Sequence, residues 1–180
     1  MNKIACWFRA VLLAAALVGA LAAQQPGRIQ LTFPGLAQRA AETSSVTLDG
    51  PMLQVGIRML AAKESDAQAR QVLSRLKGVY VKSFSFDGRG DYSSQDLEPI
   101  RRQLHAPGWE HIMSVHSRRD GRTVNIYLMA TAQGVAGMVI IAAYRRALQV
   151  VNLVGPIDPA ALSQIGGHFG IPRVNPRRHP

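Results

Sequence analysis

The chain has 180 residues, with 21 Lys or Arg against 11 Asp or Glu, for a formal charge of +10. That length suits one domain behind a leader, and 47% apolar with 18% charged residues excludes a largely disordered chain. The single cysteine, Cys6, falls within the leader, so disulfides, thiolate metal sites and a cysteine nucleophile are excluded for the remainder.

Residues 1–23 read as a secretory signal peptide. Lys3 and Arg9 give the positive start, Ala10 to Ala23 the apolar run, and Ala20-Leu21-Ala22 the small residues that a signal peptidase reads. The run is shorter than the roughly 20 residues of a comfortable membrane span, although an uncleaved anchor is the alternative. A bacterial lipoprotein needs Cys directly after the small residues, where this chain has Ala23 or Gln24. The expectation is an exported protein, periplasmic or extracellular after cleavage, with no transmembrane span in the mature chain. Losing Lys3 and Arg9 leaves 19 basic and 11 acidic residues, a mature charge of +8. Seventeen of the basic residues are Arg and Ala is abundant, as GC-rich coding also produces, so charge alone names no partner.

From residue 24 the chain reads as a single domain to 172, followed by a flexible basic tail at 173–180. Gln24 to Pro34 is an extended lead-in, and Leu36 to Glu42 has helical character. Val46 to Leu48 reads as a short strand, and Asp49-Gly50-Pro51 as a turn with Pro51 opening a helix. That helix carries Leu53, Val55, Ile57, Leu60 and Ala61 on one face, with Met52 and Met59 read as core. A second helix is expected from Asp66 to Leu76, with Gly78 beyond its end. Val79 to Phe86 is a strand rich in β-branched and aromatic residues. The loop Asp87 to Asp91 contains Arg-Gly-Asp, and is read as a glycine-bearing turn. Ser93 or Ser94 starts the next helix; Pro99 restricts where it can start, because proline fits the first turn, and the helix continues through Ile100 and Leu104 until His105 to Gly108 end it.

The stretch Arg122 to Val154 organises the domain. It holds three apolar runs that read as consecutive antiparallel strands at the centre of one sheet, with Trp109 to Ser117 added before them. Asp120-Gly121 signals a two-residue hairpin. Val124, Ile126, Leu128 and Ala130 alternate with Thr123, Asn125, Tyr127 and Met129. Val135 to Ala143 is apolar on both faces, as a covered central strand requires. Tyr144-Arg145-Arg146 turns the chain into Leu148 to Val154. Asp158 and Pro159 then cap a short helix to Ile165, ended by Gly166-Gly167. The fold class is therefore α+β: a mainly antiparallel sheet of about five strands with helices packed on it.

The ordered set VTLDG, LKGVYVKSFSFD, DYSSQDL, APGW, RRDGR, VVNLVGPIDPAAL and GGHFGIP resembles a bacterial family of exported proteins known only as a domain of unknown function, number four-two-five-two. The resemblance covers most of the chain beyond the leader. It implies no catalytic residues, since the family has none assigned. It implies envelope context, and the chain departs from the family's lipoproteins in lacking the lipid-attachment Cys.

His111 and His116 are the nearest pair of imidazoles, but their odd spacing puts them on opposite faces of a regular strand, so no metal site is expected. No G-x-S-x-G elbow, Walker loop or dinucleotide fingerprint occurs, and no catalytic residue or cofactor is nominated. Asp87, Asp91, Asp96 and Glu98 are explained by loop solvation and helix-start charge. Arginine pairs recur at element ends. Arg118, Arg119 and Arg122 in one turn and Arg145 and Arg146 in another should fall at the same end of the sheet, forming a patch for an anionic lipid surface or an acidic envelope protein, rather than nucleic acid. The function read from the sequence is a non-enzymatic binding or accessory module of the bacterial cell envelope. The alternative is a hydrolase with a site assembled from dispersed Ser, His and Asp.

Overall fold

A computed structural model of the chain describes residues 25–61, 71, 74–88 and 91–158. In chain order its elements are α1 (Leu36–Arg39), β1 (Glu42–Asp49), α2 (Gly50–Ala61), β2 (Gly78–Ser85), a 3-10 turn (Ser94–Leu97), α3 (Glu98–Leu104), β3 (Trp109–Ser117), β4 (Arg122–Thr131), β5 (Gly134–Ala143) and β6 (Ala147–Val154). The strands form one antiparallel sheet in the order β1-β2-β6-β5-β4-β3. The fold is α+β as expected, with six strands instead of about five. The expected leader, the helix at 66–76 for the most part, the helix after Asp158 and the basic tail lie outside the described residues.

The additional length is in β1. The sequence reading placed helix on residues 36–42 and strand only on 46–48. The helix stops after one turn, and the strand starts at Glu42, opposite Ser85. β1 is an edge strand exposed along most of its length, so it carries no burial periodicity to read.

Both faces of the sheet carry a core. On the first, a row of apolar residues crosses all six strands in register: Val46, Val81, Val151, Ile140, Ile126 and Met113. Leu53 and Ile57 of α2 pack on this face. The helix turns Leu53, Gly56 and Ile57 inward and leaves Met52 56% and Val55 37% exposed. The inward set thus follows i, i+3, i+4 spacing, and Met52, expected in the core, is on the solvent side. Each fully buried Val, Ile or Leu contributes about 1.5–3 kcal/mol of transfer free energy. These rows therefore specify the register more strongly than any turn does.

On the second face, Phe84, Leu148, Val150, Val139 and Ile141 are covered by Leu97, Ile100 and Leu104 from the 3-10 turn and α3. The lead-in adds Ile29, Phe33 and Leu36. Ser93 starts the 3-10 turn with a capping box: its backbone N–H donates to Asp96 Oδ2 at 2.7 Å, and its Oγ accepts from the Gln95 N–H at 3.3 Å. Pro99 sits in the first turn of α3, where its missing N–H costs nothing.

The lead-in is a strap laid across this face. Buried Asn152 of β6 holds it with two hydrogen bonds and makes another to β5. Its Oδ1 accepts from the Ile29 N–H at 3.0 Å, and its Nδ2 donates to the carbonyls of Gly27 at 2.7 Å and Met138 at 3.1 Å. Gln103 of α3 grips the next residue from both sides, accepting from the Gln30 N–H at 2.7 Å and donating to its carbonyl at 2.9 Å. Arg28 places its guanidinium 4.5 Å from the centre of the Tyr80 ring.

One turn expectation and one strand expectation change. Ser117 pairs with Arg122, so the β3–β4 connection has four residues, with Gly121 at φ +66°, instead of a two-residue loop. The register shift between Met129 and Ala130 leaves Ala136 of β5 without a partner on β4, and Ala130, expected on the inward face, is exposed near the end of the strand. The Ala130 N–H there donates to the Gly108 carbonyl at 2.7 Å.

Candidate functional site

The antiparallel ladder puts the β3–β4 and β5–β6 turns at one end of the sheet, since Thr123 near the start of β4 pairs with Ala143 at the end of β5. The two turns touch. A Cβ built on Gly121 would come within 2.6 Å of Arg145 Nε and 2.7 Å of its Cγ, so the Arg145 side chain lies directly over that glycine. Arg118, Arg119, Arg145 and Arg146 are exposed, and Arg122 is half-exposed. None of the four exposed arginines ion-pairs with a described residue. Arg122 has Asp120 Oδ2 at 3.9 Å from its Nε, and that nitrogen has no hydrogen-bond acceptor.

Asp120 is the acid inside this cluster. A hydrogen bond from the Ser117 side chain, the Arg122 N–H at 3.2 Å and the Arg122 charge hold its carboxyl below the usual range. The β5–β6 turn is pinned from beneath. The Tyr92 hydroxyl donates to the Tyr144 and Ala147 carbonyls, and the Phe86 N–H donates to the Arg146 carbonyl at 2.9 Å. Burial is the main reason the Tyr92 hydroxyl is pushed up from its ordinary value.

That end is not uniformly basic. β1 begins there at Glu42, and the loop after β2 carries Asp87 and Asp91. Glu42, Asp87 and Asp91 lie on the β1–β2 side, where Arg39 also donates to the Asp91 carbonyl, and Asp120 is the acid among the arginines on the β3–β6 side. The patch therefore has a direction across the sheet, which the sequence reading of paired arginines missed.

The histidines were misplaced by the sequence reading. A β-bulge between His111 and Met113 inserts one residue, Ile112, and reverses the alternation beyond it. His111 and His116 consequently lie on the same, second face. His111 Nε2 is 3.2 Å from Asn125 Oδ1, and His116 Nδ1 is 3.0 Å from Thr123 Oγ1. They oppose Tyr127 and Thr123, four residues apart on β4, or about 13 Å at strand rise. They are separate groups on one face, and no cluster of three or more potential metal ligands occurs among the described residues. Ser114 faces Asn125, with no hydrogen bond to either imidazole.

Two clefts of about 280 Å³ each flank the strap where it meets the opposite end of the sheet. One is lined by Lys77, Gln133, Val135 and Pro156, the other by Gln103, Ala106, Trp109 and Met129. No helix among the described residues is long and apolar enough to cross a membrane.

Fold and surface together define a sheet-dominated α+β protein whose chemistry-bearing residues lie on an open end and an open face. The chain matches the family model described as Domain of unknown function (DUF4252) over residues 38–165, and it belongs to that family. No curated protein and no solved structure matches it. The family match begins after the strap, although Ile29, Phe33 and Leu36 are part of the core.

Proposed function

We propose that this is an exported binding or accessory module of the bacterial cell envelope, working without a cofactor, and that the arginine end of its sheet engages an acidic partner protein. The observation that carries this reading is the contact of Arg145 with Gly121. It joins two turns into one surface with four exposed arginines that have no carboxylate partner among the described residues. Holding these like charges together with only Asp120 among them is unfavourable in the free protein, and an anionic partner relieves that repulsion. The acids on the β1–β2 side make the charge of that end mixed, which suits a protein of matching pattern better than a uniformly anionic bilayer. Export rests on the leader: a positive start, an apolar run and small residues before Ala23.

The test is a pull-down from native envelope extract at low and moderate salt, repeated with Arg118→Glu/Arg145→Glu. A protein retained by the wild-type chain and lost by the variant supports the reading. Retention of acidic lipid alone moves the site to a membrane surface, and capture unchanged by the variant sinks the arginine end as the site. Cell fractionation that leaves the full chain in the cytoplasm sinks the envelope assignment.

A further inference from the structure

The second face of the β3–β4 hairpin, which runs from the cleft at Trp109 up to the arginine turn, has a different chemistry. Its row in register is Trp109 with Met129, His111 with Tyr127, Ser114 with Asn125 and His116 with Thr123. None of these eight residues is Asp, Glu, Lys or Arg, in a chain with a formal charge of +10. None is fully buried. Trp109 and Tyr127 rest against the core beside α3, and the His111 and Tyr127 rings lie 4.6 Å apart at 33°. Asn125, Thr123, Ser114 and the imidazoles alternate donors and acceptors along the strand direction. The row spans about 20 Å at strand rise. At its Trp109 end it opens into the cleft of about 280 Å³ whose wall includes Gln103 and Ala106. Arg28 also borders that cleft, with its guanidinium held over Tyr80.

We propose that this face is a binding platform for an uncharged glycan chain. Sugar rings present C–H faces and a rim of hydroxyls. The partly exposed Trp109 ring and the His111–Tyr127 ring pair match the first, and neutral amide, hydroxyl and imidazole groups match the second. The absence of fixed charge in the row disfavours nucleic acid, anionic lipid and a strongly acidic peptide, each of which the arginine end suits better. The bulge at Ile112 assembles the platform. With regular alternation His111 would turn to the opposite face from Ser114 and His116, and the row would break. The glycan lies along β3, with one sugar ring seated at Trp109 in the cleft and the next against the His111–Tyr127 pair. Asn125 with His111, and Thr123 with His116, hydrogen-bond the hydroxyls.

The experiment is affinity electrophoresis of the purified full chain through gels containing a soluble neutral β-glucan, with calorimetric titration of a tetrasaccharide of N-acetylglucosamine. Retardation or heat is expected, unchanged by moderate salt and unchanged in Arg145→Glu. Asn125→Ala should weaken it about tenfold or more. Ser114→Tyr, which adds bulk at an exposed position, should block it without touching the core. Circular dichroism establishes that each variant is folded. No binding to either probe overturns the proposal, as does binding undiminished in both variants. Binding only to acidic polysaccharide, lost in Arg145→Glu, also overturns it and returns the ligand to the arginine end. Failure here leaves the protein-partner reading standing, because that reading responds to salt and to arginine replacement and this one does not.

Discussion

Gly27 of the strap lies directly against Gly137 of β5. A Cβ on Gly137 would stand 2.4 Å from Gly27 Cα, and one on Gly27 would stand 2.6 Å from Gly137 Cα. Two backbones meet with no side chain between them, and this close approach lets Asn152 reach the Gly27 carbonyl and the Ile29 N–H. Gly137→Ala is expected to lift the strap and lower stability by about 1–3 kcal/mol, as overpacking does. Gly27→Ala adds the strain of its φ of +85°. Thermal unfolding of the two variants checks this. A midpoint within a degree of wild type in both would show that the strap does not bear on the sheet.

Asn152 is the one buried polar side chain among the described residues. Asn152→Ala removes partners from two strap groups at once, the Ile29 N–H and the Gly27 carbonyl. The expected loss is about 2–4 kcal/mol, set by leaving buried polar groups unpaired. Asn152→Leu is expected to lose a similar amount, since it restores volume but no hydrogen bond. Urea unfolding reads the loss, and hydrogen exchange at the Ile29 amide reads its cause: protection there should fall well before that of β5 and β6.

Asp96 joins the 3-10 turn to α1 through its ion pair with Arg39. Burial would raise the Asp96 carboxyl, but the Ser93 N–H and the Arg39 guanidinium outweigh it, and the net shift is downward. A carboxyl lower in the folded than in the unfolded state contributes stability that is present above the ordinary carboxylate value, about 3.9, and lost as pH falls through the folded value. Asp96→Asn is therefore expected to destabilise at neutral pH and to flatten the acid limb below about pH 4. The Arg39 side chain is 45% exposed, so Arg39→Leu should cost under about 1 kcal/mol. Stability curves that remain parallel for wild type and Asp96→Asn from pH 2 to 7 would contradict the assignment.

Gly121→Ala tests the arginine end through its backbone. The residue has φ +66°, and its missing Cβ leaves room for the Arg145 stem. The substitution should cost about 1–2 kcal/mol from the left-handed conformation and push Arg145 away from the β3–β4 turn. Weaker capture of the acidic partner is expected, together with a shallower salt dependence.

Ile112 is 48% exposed at the bulge, and Val115, three residues on, is 38% exposed. Both lie on an edge strand, where a bulge hinders pairing with another chain. Ile112→Lys should leave stability within about 0.5 kcal/mol and raise solubility. Light scattering at increasing concentration measures the second effect. A large loss of stability would mean that Ile112 packs more tightly than its exposure implies.

How much of this was legible in the chain depends on burial. Burial imposes alternation, so β4, β5 and β6 declared themselves with nearly correct ends, and Pro99 and Ser93 marked the start of the 3-10 turn and α3 through backbone rules that act within a few residues. The coming together of the arginine turns followed from the arithmetic of antiparallel strands. β1 was shortened because an exposed edge strand need not alternate. Met52 was misread because one helical face is chosen by what the helix packs on, here Leu53 and Ile57 against the sheet.

By itself, then, the sequence determined the antiparallel sheet, its apolar rows and the placement of its turns, because each depends on local periodicity and turn chemistry. Only the tertiary structure decided which groups meet across the sheet. The strap seated on Gly137 and Asn152, the bulge that brings His111 and His116 to one face, and the acids beside the arginine end all join residues distant in sequence or depend on a one-residue register shift. No local rule carries that information, because a single inserted residue reverses every side chain beyond it, and close approach of two glycines leaves no pattern in the chain.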